Sequence, residues 1–75
     1  MAAAVRYWVG SAPTKCDVSG VAITDEFVDG KTKWGPWANM HPDAHKKDGC
    51  GIGMGKGQRY KKEAGPDGKW RKTEG

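Results

Sequence analysis

Four side chains of this sequence have the chemistry of metal ligands. The 75-residue chain contains only two cysteines and two histidines, Cys16, His41, His45 and Cys50. Zinc is held by about four thiolate or imidazole ligands in a tetrahedron, so their number fits one structural zinc ion. Such a staple would also suit the length, because a domain of this size rarely buries enough apolar surface to be stable without a metal or a partner.

The same residues also have an interpretation without a metal. Cys16 and Cys50 would then be small buried residues, His41 would cap a helix and His45 would be a partly exposed polar residue. A disulfide between the two cysteines is a third interpretation. It is less favoured than metal binding or free thiols, because the chain shows no secretion signal.

Two turns and a pair of tryptophans precede the histidines. The segment Cys16–Gly20 has the residues of a tight knuckle, since its final glycine can take a positive φ. Asp29–Gly30 lies between strand-like residues and is the strongest local signal for a two-residue hairpin turn. Trp34 and Trp37 flank a Gly-Pro break, and we expect them to be core aromatics on either side of a bend.

A short helix is predicted over residues 42–48. Pro42 suits the first helical position, and the negative charge of Asp43 suits the positive end of the helix. Two lysines favour the other end, where Gly49 stops the helix.

The rest of the chain is predicted to contain a loop and a hairpin. Glycine stands at every second position from Gly51 to Gly57, which indicates an extended or looping segment. Two strand-like segments then form a hairpin: Gln58–Glu63 and Lys69–Thr73, joined by Ala64–Gly68. In this hairpin Tyr60 would pair with Trp70.

These elements predict a small α+β fold, with a knuckle and a β-hairpin followed by the helix over 42–48 and a C-terminal β-hairpin. Residues 1–13 are predicted to be an N-terminal arm and linker, and residues 14–75 a single small domain. We expect the arm and the glycine-rich segment to gain order against a partner. The expected aromatic anchors of that contact are Tyr7, Trp8, Tyr60 and Trp70.

The second half of the chain is basic. Residues 46–75 carry nine lysines and arginines against four acidic residues. Cations neutralise phosphates and aromatic rings stack on unpaired bases, so nucleic acid is the alternative partner. It would be bound by Lys56, Arg59, Lys61, Lys62, Lys69, Arg71 and Lys72. A solvated edge hairpin, whose lysines prevent aggregation, explains the same pattern.

Several classes of function are not expected. A nuclease of this size would need a histidine upstream as general base, and no histidine precedes His41. Lys56 is followed by Gly57 where a phosphate-binding loop has Ser or Thr. The apolar start of the chain is too short and too interrupted to span a membrane, and it lacks the pattern of a signal peptide. We therefore predict an intracellular chain that is not an enzyme and has no membrane partner.

Three segments carry a resemblance to a known group of proteins. CDVSGVAITDEFVDG at 16–30, WGPWANMHPDAH at 34–45 and GCGIGMGKGQRY at 49–60 resemble short tailed-phage proteins of zinc-ribbon or treble-clef type, mostly without assigned function. The resemblance implies a treble-clef-like fold and a non-enzymatic structural role in the virion, as a capsid-associated, cement or decoration protein. It also implies viral capsid subunits as partners, and the virion or the host cytoplasm as the location.

The sequence departs from that family pattern at the expected zinc ligands. A complete module has one Cys-x-x-Cys pair at the knuckle and a second pair at the helix. Here Ser19 stands where the second cysteine of the knuckle pair would be. At the helix, His41 stands in the first position of the pair and Ala44 in the second. A zinc ion would therefore need His45 and Cys50 as its remaining ligands.

Overall fold

The computed structural model describes residues 6–64 and 68–75. Its elements are β1 (Glu26–Lys31), β2 (Trp37–Met40), α1 (Pro42–Asp48), β3 (Gly57–Lys62) and β4 (Trp70–Glu74). The strands form one antiparallel sheet in the order β2-β1-β3-β4. The predicted α+β class is confirmed. Among these residues, no helix has the length and apolar character needed to cross a membrane.

The predicted Asp-Gly turn is wrong, although β1 and β2 do form a hairpin. Asp29 and Gly30 lie inside β1, and Gly30 is opposite Gly57 of β3. A Cβ atom on Gly30 would lie only 3.2 Å from the Gly57 Cα atom, so glycine here permits a close approach of two strands. The chain turns instead at Thr32–Pro36, where the Thr32 N–H and hydroxyl both donate to the Pro36 carbonyl.

Helix α1 has the predicted bounds, because its start and stop signals are local. His41 is its N-cap, and its Nδ1 atom accepts a hydrogen bond from the Asp43 N–H at 3.2 Å. At the other end, the Gly49 N–H donates to the His45 carbonyl. A Cβ atom on Gly49 would lie 2.6 Å from that carbonyl oxygen, so a larger residue would disturb this end.

The C-terminal hairpin is present, but with a different register from the one predicted. Tyr60 is opposite Lys72, and Trp70 is opposite Lys62. The strands are irregular between Arg59 and Tyr60, where the register shifts. Most of the predicted connection, residues 65–67, lies outside the described residues.

The N-terminal arm lies against the chain's own sheet. The Trp8 N–H donates to the Trp70 carbonyl, and the Lys72 N–H donates to the Arg6 carbonyl, both at 2.8 Å. Residues 6–8 therefore lie along the outer edge of β4 and form a single β-bridge, between Tyr7 and Arg71. For these residues of the predicted arm, the expectation of order only against a partner is wrong, because they pair with an exposed strand edge of the same domain.

The sheet carries a different cluster on each face, because side chains alternate along a strand. One side, called the aromatic face, bears Phe27 and Tyr60, which are stacked with ring centroids 5.2 Å apart. Ile23 is buried with them, and Trp8 and Trp70 pack against them. The other side, called the helix face, bears a cluster of Cys16, Met40 and Ala44, against which Val18 and Ala38 pack.

Candidate functional site

The knuckle and the start of α1 meet around Cys16. Cys16 is 2 % exposed, and its sulfur accepts a hydrogen bond from the Ser19 N–H at 3.3 Å. The Gly20 N–H donates to the Cys16 carbonyl, and Gly20 has the positive φ that this tight turn requires. The predicted knuckle is therefore present.

The environment of this thiol affects its ionisation. Burial raises the pKa of the Cys16 thiol, but hydrogen bonds from Ser19 and from the backbone of His41 and Val18 lower it by more. The net pKa lies below the ordinary value of 9.0. The backbone at the helix start thus acts on the ionisation of the same sulfur as the knuckle.

The other predicted metal ligands point elsewhere. The His41 ring caps the helix, and His45 Nε2 lies 2.9 Å from the Gly51 carbonyl oxygen, to which it donates. The burial of Cys16 and the capping role of His41 were both expected, whereas His45 is buried and Cys50 is exposed, contrary to the expected exposure of the one and burial of the other. Within residues 6–64 and 68–75, no three His, Cys, Asp or Glu side chains are arranged to hold a metal ion. Both cysteines are free thiols.

The four predicted aromatic anchors take part in the fold of the chain itself. Tyr60 is 7 % exposed, and Trp8 meets its ring edge-on at 5.3 Å between centroids. Trp70 contacts Phe27 in the same way. Tyr7 is the exposed member of the group, and the Lys69 ammonium lies 5.7 Å from its ring centroid.

The basic residues of the C-terminal hairpin do not share one face. Lys61 and Arg71 are direct partners on the helix face, whereas Lys62 and Lys72 alternate to the aromatic face. The Arg59 guanidinium lies 3.4 and 3.8 Å from the carboxylate oxygens of two glutamates. The positive charge is thus divided between two surfaces and is partly neutralised.

Two tryptophans that were expected in the core are exposed. Trp34 and Trp37 have exposed fractions of 62 % and 50 %, so their interpretation as core aromatics is wrong. Trp34 lies in the turn between β1 and β2, and Trp37 begins β2. The lysines on either side of the turn, Lys31 and Lys33, were the available signal that this hairpin is a surface feature.

Comparisons with protein-family models, with curated proteins and with solved structures found no match to this chain.

Proposed function

We propose that this protein is a non-enzymatic interaction protein that binds another protein subunit, and that it is a component of a tailed-phage virion. The observation that carries the binding role is the exposed ring of Trp34, which lies beside a cation paired with helix α1. The virion assignment rests on the resemblance of the three sequence segments to short phage proteins. Capsid or other virion subunits are then the partners, in the host cytoplasm during assembly and in the particle afterwards.

Trp34 is exposed, yet it is held in place. The Lys33 ammonium lies 5.2 Å from its ring centroid and is also paired with the Asp48 carboxylate at 2.8 Å. Asp48 ends helix α1, so the cation connects the ring to a rigid element. An aromatic ring that is already ordered loses little entropy when it is buried by a partner, which is a property of interface hot spots.

A second apolar side chain lies at the same end of the sheet. Met54 is 99 % exposed in the glycine-rich loop. This loop is attached to the end of β1, because the Lys31 N–H donates to the Lys56 carbonyl and the Cys50 N–H donates to the Lys31 carbonyl. We call Trp34 and Met54 the tip surface. A flexible thioether at the same end of the sheet as an exposed indole suits an apolar protein partner.

The order of knuckle, β1–β2 hairpin and α1 supports a treble-clef relationship. Cys16 and His41 occupy the first position of each ligand pair of such a module, and Ser19 and Ala44 occupy the second. A zinc ion held by Cys16, His41, His45 and Cys50 requires the two rings and Cys50 to leave their present contacts. Zinc content of the purified protein, compared between the wild type and Cys16→Ser, tests that proposal: equal values reject it.

A small nucleic-acid-binding protein is the second candidate. It is favoured by the exposure of Lys61, Lys62 and Arg71 on the C-terminal hairpin. Affinity for oligonucleotides that falls steeply with added salt would support it. If no binding occurs at low salt, this candidate is removed.

The virion assignment is tested on particles of the encoding phage. Virions purified on a density gradient should contain the chain in a fixed ratio to the major capsid protein when they are analysed by mass spectrometry. Its absence from the particles rejects a virion role.

The tip surface is tested by incorporation of variants. Trp34→Ala should weaken association roughly thirtyfold or more, because hot-spot tryptophans contribute ~2 kcal/mol or more. Met54→Ala should weaken it less. Val9→Ala is the matched control, since Val9 is 91 % exposed but lies in the arm linker. Equal incorporation of all three variants contradicts the assignment of the tip surface.

A further inference from the structure

A row of polar side chains crosses the aromatic face of the sheet. Asp29 of β1 is directly opposite Asn39 of β2 on one side and Gln58 of β3 on the other. Directly opposite residues of antiparallel strands project to the same face, so the three side chains lie in line. Each is partly exposed. We call these three residues the polar row.

The polar row lies between two aromatic groups. On one side is the Trp37–Lys31 pair, which belongs to the same face and is exposed. On the other side is the buried Tyr60, whose hydroxyl donates to Gln58 Oε1 at 3.0 Å. A ligand lying on the row would therefore contact the half-exposed indole of Trp37 along one side and the edge of the aromatic cluster along the other.

Most of the hydrogen-bonding capacity of the row is unused. Within the described part of the chain, the side chains of Asn39 and Asp29 make no hydrogen bond, and Asp29 has no ion pair. Burial raises the pKa of the Asp29 carboxyl. A half-buried carboxylate without a protein partner is costly to keep, and such groups are concentrated at functional sites.

We infer that the polar row and Trp37 form a binding site for a neutral carbohydrate chain. The C–H face of a sugar ring packs on an exposed indole, whose ring is a large apolar surface. Sugar hydroxyls donate to the Asp29 carboxylate in charge-assisted hydrogen bonds. The Asn39 amide offers both donors and an acceptor, and the Gln58 amide offers its N–H donors while its Oε1 atom accepts from Tyr60. Such groups match sugar hydroxyls, which are themselves donors and acceptors.

The central carboxylate favours sugar over a nucleic-acid strand. Trp37 and Lys31 alone would suit a stacked base and its phosphate. Phosphates would, however, be repelled by Asp29 in the middle of the row, whereas a neutral polyol gains a strong acceptor. This site is distinct from the tip surface and goes beyond the proposed interaction role. The sugar site is tested by binding of oligosaccharides, and the interaction role is tested by incorporation into virions, so either can fail without the other.

The test uses the full chain and three neutral probes: cellohexaose, maltohexaose and chitohexaose. Binding is followed by the NMR signals of the four indole N–H groups. At least one probe should shift the Trp37 signal saturably. Trp37→Ala should weaken binding about tenfold or more, since loss of a stacked ring has effects of this size. Asp29→Asn should weaken binding less, because the amide still accepts a hydrogen bond.

Matched controls distinguish binding at this site from non-specific binding to exposed aromatic side chains. Trp34→Ala removes a second exposed tryptophan, which lies in the turn outside the polar row, and should leave the affinity unchanged. Circular dichroism of each variant checks that the fold is retained. The inference is overturned if no probe shifts the Trp37 signal, or if Trp34→Ala weakens binding as much as Trp37→Ala. It is also overturned if oligothymidylate, but no sugar, binds at Trp37.

Discussion

The two faces of the sheet are stabilised in different ways. On the aromatic face, Trp8, Phe27, Tyr60 and Trp70 come from four distant parts of the chain and meet ring to ring. On the helix face, small side chains pack around Cys16, and hydrogen bonds to its sulfur and at the ends of α1 fix the geometry. One cluster depends on apolar area, the other on local backbone geometry.

This difference explains how so small a chain makes two clusters. Aromatic rings supply large buried areas from few residues, so the arm needs only Trp8 to join the first cluster. The knuckle and the helix bury little apolar area, but the hydrogen bonds of their own backbone groups are formed locally. The desolvation cost of the cluster on the helix face is therefore low.

The first prediction concerns the helix face, where a metal site should be constructible. In Ser19→Cys/Ala44→Cys, two thiols are added beside Cys16 and His41, in the arrangement of a complete treble-clef site. The double variant should bind Co²⁺ with the visible absorption of a tetrahedral thiolate complex. Zn²⁺ at about 1,000 times its Kd should then stabilise the fold by ~4 kcal/mol.

The single variant Ser19→Cys is the control and should bind Co²⁺ more weakly. If the double variant shows no tetrahedral absorption, the treble-clef relationship of knuckle and helix is wrong.

The second prediction compares one fully buried residue from each face. Phe27 and Met40 are both 0 % exposed. Phe27→Ala should lower the free energy of unfolding by ~4 kcal/mol and Met40→Ala by ~3 kcal/mol. The difference arises because Phe27 also makes oriented contacts with three other rings.

Urea unfolding followed by circular dichroism measures both values. A domain of this length has a total stability of about 4–11 kcal/mol, so Phe27→Ala could leave little folded protein. Met40→Ala is then the informative variant, and a larger loss for it than for Phe27→Ala would reverse the comparison.

The third prediction is that the two faces respond oppositely to alkaline pH. The pKa of Cys16 is lowered on folding. The contribution of its ionisation to the free energy of unfolding is therefore fully present above pH 9.0 and is lost as the pH falls through the folded pKa. Burial, and then the Asp29 carboxylate, raise the pKa of Tyr60. The contribution of Tyr60 to the free energy of unfolding is therefore present below pH 10.0 and is lost as the pH rises through the raised pKa.

Urea unfolding from neutrality to above pH 10.0 measures this response. The destabilisation by Cys16→Ala should increase with pH, whereas the destabilisation by Tyr60→Phe should decrease. Parallel curves for the two variants would show that neither pKa differs between the folded and unfolded states.

The fourth prediction concerns the polar row on the aromatic face. Burial raises the pKa of Asp29, so its ionisation on the folded chain opposes folding at neutral pH. Asp29→Asn should stabilise the fold at neutral pH by about 0.5 kcal/mol or less. The gain in stability should disappear below pH 3.8, where the wild-type carboxyl is protonated in both the folded and the unfolded state. Thermal unfolding at the two pH values measures the effect, and an equal gain at both contradicts it.

Features whose signals lie within a few neighbouring residues could be predicted from the sequence. The bounds of α1, the knuckle at Cys16–Gly20 and the presence of a C-terminal hairpin were predictable. Caps, proline at a helix start and glycine in a turn act on the local backbone. The α+β class followed from these elements.

Features that depend on contacts between distant segments could not be predicted, because they form only when the whole sheet assembles. Asp29–Gly30 would be a turn in isolation, but the approach of Gly57 makes it part of a strand. Likewise, residues 6–8 find their partner at β4, more than sixty positions away. Which tryptophans are buried, and which polar side chains share a face, follows from strand register, and register is fixed by the packing of the whole sheet.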